Sequence, residues 1–207
     1  MKRNWKDVKW IFEPVGSLID IYGQEVSHND WRKVISLINE RYNAKYDGTN
    51  LIDKKYSIEY LTDETGEMES KSASIHFGSI QLNCHFFLEV QIEFDIDPKE
   101  INSIKDFEII ESFMIDISAE LDNHVTLTVE NNIKFPLIKI DMNRGINRYL
   151  TKEEMNEYRD SPNSFISKMQ LLKTKLEMKL TPRKFQERLL KSVSEPYQSM
   201  NKDENVW

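Results

Sequence analysis

Between Ile80 and Ile96 the chain reads IQLNCHFFLEVQIEFDI, and every even-numbered position in it is apolar. Period-two alternation is the signature of a β-strand that holds one side against a core, since successive strand side chains point to opposite faces. The residues just upstream keep the same period in the opposite phase. Ala73, Ile75 and Phe77 are odd-numbered, whereas Ile80, Leu82 and Cys84 are even-numbered. A two-residue Gly78-Ser79 turn of type II′ reconciles the two phases by pairing Phe77 with Ile80, Ile75 with Leu82 and Ala73 with Cys84. The expected structure is an antiparallel hairpin whose second arm is one long strand, ended by Asp97-Pro98 because proline lacks a ladder donor.

The same period organises much of the remaining chain. WKDVKWIFEP places Val8, Trp10 and Phe12 on one side, so a first strand is expected there, turned by PVGS into LIDIYG as its hairpin partner. Ser27 followed three residues later by Asp30 resembles a capping box, and Trp31, Val34, Ile35, Ile38 and Tyr42 form the apolar stripe of a helix. NAKYDGTN reads as a loop, and YSIEYLTDETGEMESKSASIHF as two strands joined at Glu64 to Glu67. A second helix over SIKDFEIIESFMIDISAELD buries Ile104, Phe107, Ile110, Met114, Ile117 and Leu121. HVTLTVE and IKFPLIKIDMN follow as strands, with Pro136 demoting the second to an edge or a bulge. After Gly145 the pattern is helical, with a capping box at Thr151 to Glu154 and a further helix opened by Thr181-Pro182. The expected fold is α+β: a mainly antiparallel sheet of six to eight strands, helices packed on one face, and a helical C-terminal segment. A single domain is expected over residues 1–193, its helical segment at 146–193, followed by a tail at 194–207.

Composition narrows the function classes. No apolar run in the 207 residues approaches the roughly 18 that a bilayer helix needs. MKRNWKDVKWIF carries early positive charge without the apolar stretch of a secretory signal, so a cytoplasmic location is expected. Cys84, the single cysteine, falls on the apolar side of its strand, where a thiol serves as a small hydrophobe. His28, His76, His85 and His124 are scattered without an H-E-x-x-H pair, and one cysteine excludes a cysteine-rich zinc site. Asp95 and Asp97 lie outside any D-x-[DN]-x-[DN]-G calcium loop, and the six glycines are too dispersed to cradle phosphate. The expectation is a protein with no catalytic residues, no metal and no cofactor.

Charge is the remaining signal. The series His85, Phe87, Glu89, Gln91, Glu93, Asp95, Asp97 occupies the second face of the alternating stretch and contains no lysine. A one-sided sheet explains why that face is polar but not why it is acidic. Same-face residues are about 6.5–7 Å apart along a strand, close enough for their charges to focus a negative field. Phe87, Glu89, Glu93, Asp95 and Asp97 are therefore the expected partner-binding residues, with Phe87 as the apolar anchor. Over residues 89–130 twelve acidic residues face two basic ones, while residues 168–191 hold eight basic against two acidic. The basic segment has the footprint of a nucleic-acid binder. The net charge of -7 and the neighbouring acidic block argue against that and leave internal docking of the two regions as an alternative.

A small acidic α+β chain with no active-site motif resembles the bacterial toxin-immunity proteins in its general character. The resemblance implies a non-enzymatic module that binds one basic protein partner, a toxin, and covers its active site. It transfers no particular residue. The alternative is a structural or regulatory homo-oligomer that associates through a sheet edge or its C-terminal helices.

Overall fold

The computed structural model describes residues 4–13 and 16–160, the last three by backbone alone. The chain divides after Met155 into two units. The whole sheet lies in the first, and of the second only 156–160, the end of a helix, are described. The expected C-terminal helices beyond that point and the tail at 194–207 lie outside the described residues.

The elements follow in the order α1 (Trp5–Val8), β1 (Ile19–Gln24), α2 (His28–Arg41), β2 (Asn43–Tyr46), α3 (Lys54–Leu61), β3 (Ser72–Phe77), β4 (Ile80–Leu88), β5 (Gln91–Ile96), α4 (Ile104–Leu121), β6 (Val125–Val129), β7 (Pro136–Asp141), β8 (Ile146–Tyr149) and α5 (Lys152–Asp160). The strands form one eight-stranded sheet ordered β2-β3-β4-β5-β1-β6-β7-β8. All neighbours are antiparallel. The fold is α+β, as its alternation pattern requires.

The Gly78-Ser79 hairpin has the register that its apolar phases demand: Phe77 pairs with Ile80, Ile75 with Leu82 and Ala73 with Cys84. Gly78 supplies the positive φ of the turn, +67°. A Cβ there meets nothing within 4 Å, so a side chain would be penalised through the backbone alone. Gly78→Ala is expected to cost about 1 kcal/mol, read as a lower urea midpoint at unchanged slope.

The long strand is corrected to two. β4 and β5 are joined at Glu89-Val90, and the alternation survives because two phase changes cancel. Leu88 pairs with Gln91 across a two-residue turn, which would by itself move the apolar set to odd positions. Between that pair and His85-Glu93, however, Phe86 and Phe87 of β4 stand opposite Ile92 alone. This bulge restores the even phase, so Cys84 pairs with Phe94 and Leu82 with Ile96.

Other expectations change for identifiable reasons. WKDVKWIF is helical: α1 is capped by the Asn4 side chain and followed by a 3-10 turn over Lys9–Phe12. Val8, Ile11 and Phe12 are buried, a helical spacing that the shared residues Val8 and Phe12 also allow for a strand. β1 therefore has no hairpin with this segment and pairs with β5 and β6 at the sheet centre. NAKY is the edge strand β2, with Ala44 and Tyr46 buried on alternate positions. YSIEYL belongs to α3, capped by Asp53, whose carboxylate accepts from the Tyr56 N–H. Residues 146–149 form β8 rather than the start of a helical segment. Pro136 sits at a register shift between β6 and β7, and β8 rather than β7 is the edge.

Helices α2 and α4 cover one face. On α2, capped by a complete Ser27-Asp30 box, Trp31 packs on Phe86, and on α4 Phe113 packs on Phe94 and Phe77. Asp116 of α4 accepts from the Tyr42 hydroxyl at 2.7 Å and the Arg41 guanidinium at 3.2 Å, tying the two helices together. Thr151 and Glu154 form the expected box at the start of α5.

Candidate functional site

Because the helices take the even positions of β4 and β5 and the odd positions of β1, the opposite sheet face collects Asp20 and Tyr22, Asn83, His85 and Phe87, and Glu93 and Asp95. Cross-strand register brings them together. Asp20 stands opposite Asp95, Tyr22 opposite Glu93, His85 opposite Glu93 and Asn83 opposite Asp95. Thr126 and Thr128 of β6 continue the row beyond Tyr22 and Asp20. Three carboxylates thus share adjacent strands near the middle of the sheet.

Their hydrogen bonds are specific. Asp20 Oδ2 accepts from the Tyr22 hydroxyl at 2.7 Å and from the Asn131 N–H at 2.6 Å. Asp95 binds His85 Nε2 at 2.5 Å through one oxygen and Asn83 Nδ2 at 2.7 Å through the other. Glu93 accepts from Gln91 Nε2 at 3.2 Å. Asp20, Tyr22 and Gln91 are each no more than 3% exposed. Among the described residues His85 is the one cationic group hydrogen-bonded to this cluster.

Burial and mutual repulsion set the protonation. Burial lifts the Asp20 carboxyl above the usual range against the bonds from Asn131 and Tyr22, and the charge of Asp95 adds to the lift. Glu93 is pushed up to about 7, first by burial and then by the charge of Asp20. Burial, with Glu93 and Asp20 nearby, also raises the Tyr22 phenol. Burial opposes the charge on His85, but the Asp95 bond and the neighbouring carboxylates outweigh it and raise the imidazole above its ordinary value.

Ser72 Oγ lies 3.4 Å from His85 Nδ1, which gives Ser72, His85 and Asp95 the connectivity of a nucleophilic relay. The raised imidazole favours the protonated ring, which donates from both nitrogens. The arrangement sets one imidazole among three carboxyl groups. Among the described residues no group of three or more His, Cys, Asp or Glu is placed to hold a metal ion, and no helix is long and apolar enough to cross a membrane.

The residues expected to bind a partner fall into three places. Glu93 and Asp95 belong to the cluster. Phe87 and Glu89 lie at the β4–β5 turn, Phe87 44% exposed with its ring stacked on His85 at 4.7 Å, and Glu89 bound to His28 Nε2 at 3.0 Å. Asp97 caps the short 3-10 turn after β5 by accepting from the Lys99 N–H. Asp20, Tyr22 and Gln91 were not among the expected site residues. Asp20 and Tyr22 carried a signal in the alternation of LIDIYG, but nothing local assigns β1 to the side of β5. Comparison of the chain with protein-family models, with curated proteins and with solved structures gave no match.

Proposed function

We propose that the chain is a non-enzymatic binding module, acting in the cytoplasm, that holds a basic polypeptide against the acidic face of its sheet, as an immunity protein holds a cognate toxin. The observation that supports this reading is the grouping of Asp20, Glu93 and Asp95 on adjacent strands, where His85 is the one cationic group among the described residues hydrogen-bonded to them. Holding like charges together under partial burial opposes folding. A cationic surface brought against them recovers that energy, and their field accelerates its approach. Phe87 and Glu89 add an aromatic contact and an exposed charge at the adjoining turn.

The test is stopped-flow and calorimetric binding to purified basic polypeptides, the product of the adjacent gene among them. A one-to-one complex is expected, with association slowing about tenfold from low to physiological salt. Glu89→Lys, at an exposed position, slows association. Glu93→Gln preserves shape within the cluster and speeds dissociation. Unchanged rates in both variants, or the absence of any salt-sensitive complex, overturn the reading.

A further inference from the structure

We propose that Gln91 and Glu93 form a subsite for one guanidinium group, carried by an arginine of the partner. The inference rests on the binding reading above and gives it a chemical focus.

The starting observation is an amide with one end unanswered. Gln91 is 3% exposed, and its Oε1 is buried with no hydrogen-bond partner, although its Nε2 donates to Glu93. Buried acceptors without donors are uncommon in folded proteins. Turning the amide over does not cure this: Oε1 would face an ionised Glu93 oxygen, or accept from the protonated carboxyl, and in either case Nε2 would lose its acceptor. An ionised Glu93 selects the orientation in which Nε2 donates to it, and this leaves an acceptor beside a carboxylate.

The surrounding groups decide what kind of donor fits. Tyr22 on β1 and His85 on β4 stand opposite Glu93, and the Asp20–Asp95 pair lies two residues further along. Glu130, after β6, adds its negative charge near Asp20 and Tyr22. A neutral donor would satisfy Oε1 and leave the carboxylates as they are, whereas a cation answers both. A planar guanidinium presents several N–H groups in a fixed fork, so it can reach an amide oxygen and a carboxylate at once, and it sheds water more readily than an ammonium. The elevated Glu93 carboxyl fits this role, since burial and then the charge of Asp20 disfavour its ionised form, which a cation beside it would favour. A bound guanidinium would draw that carboxyl down and release its proton. Gln91 begins β5 directly after the Glu89-Val90 turn, so the subsite is continuous in the chain with Phe87 and Glu89.

The experiment uses the full chain and three small probes: N-acetyl-arginine amide, N-acetyl-lysine amide and the uncharged N-acetyl-citrulline amide, followed through the Glu93 and Asp20 carboxyl carbons by NMR. Saturable shifts with the arginine probe are expected, with the Glu93 midpoint moving down from about 7 by about one pH unit. The lysine probe should bind roughly threefold or more weakly, and the citrulline probe should not bind. Gln91→Met removes the orphaned acceptor at similar volume and should weaken the arginine probe about tenfold, the loss of one charge-assisted hydrogen bond. Non-saturating shifts, equal response to lysine, or unchanged arginine binding in Gln91→Met overturn the subsite. If basic polypeptides bind through Glu93 while the arginine probe does not, the subsite fails and the binding reading stands. If the probe binds and no polypeptide does, the reverse holds.

Discussion

Replacing Trp31 with alanine is expected to cost about 3–5 kcal/mol, a large share of the roughly 5–15 kcal/mol by which a domain of this kind is stable. Trp31 is fully buried on the inner stripe of α2, with its ring 5.3 Å from that of Phe86. Its indole Nε1 also donates to the backbone carbonyl of Glu89 at 3.1 Å. The substitution therefore opens a cavity under the sheet and removes a donor from the turn between β4 and β5. Trp31→Phe separates these losses, since it keeps much of the packing and deletes the hydrogen bond, and should cost about 1–3 kcal/mol. Urea unfolding measures both values. A loss below about 2 kcal/mol for Trp31→Ala would show that the core collapses around the site and that α2 is not anchored through this residue.

That anchor bears on binding because the same turn presents Phe87 and Glu89. Loosening Glu89 by the phenylalanine variant disturbs the rim of the acidic face without touching Asp20, Glu93 or Asp95. The core and the proposed binding surface thus meet at one carbonyl.

Local features of the sequence were readable because their causes are local. Gly78 needs a positive φ, and the opposite apolar phases on either side of it leave one register for the hairpin. Ser27 with Asp30 and Thr151 with Glu154 are boxes whose partners lie three residues apart. The β4–β5 turn was hidden for the converse reason: the turn and the Phe86-Phe87 bulge each reverse the phase, and their sum looks like uninterrupted strand. Val8, Ile11 and Phe12 sit on one side of a helical turn, while Val8, Trp10 and Phe12 fit a strand equally well. Asparagine, aspartate and glycine in NAKYDGTN mark the turn at Asp47-Gly48 but say nothing of the strand before it, whose two buried residues are Ala44 and Tyr46. The site was legible in sign and only partly in membership. Glu93 and Asp95 follow from the period of β5, whereas Asp20 joins them through a pairing between segments far apart in the chain. Gln91 reads as one more polar residue until its unpaired oxygen is seen.

Glu93→Gln should tilt the dependence of stability on pH by about 3 kcal/mol between about pH 4.5 and 7.5. Glu93 in the folded chain titrates near 7, against an ordinary 4.5. Between those values the folded state holds a proton that the unfolded state has released, so stability falls as pH rises through the window. Below about 4.5 the penalty is absent, and above 7 it is complete. Asp20 and His85, both raised, act in the same direction. His124 acts against them: burial, then the charge of Lys139, lowers its imidazole to about 4 from 6.5, so between those values the unfolded state binds the extra proton and stability rises with pH. The two slopes overlap between about 4.5 and 6.5, and there His124 offsets part of the fall. Glu93→Gln removes the falling component, so the variant gains on the native chain steadily as pH rises. Urea unfolding at about pH 4.5, 6 and 7.5 measures the difference. A constant difference would mean that Glu93 ionises as freely in the fold as outside it. The cluster would then hold no strained charge for a cationic partner to relieve.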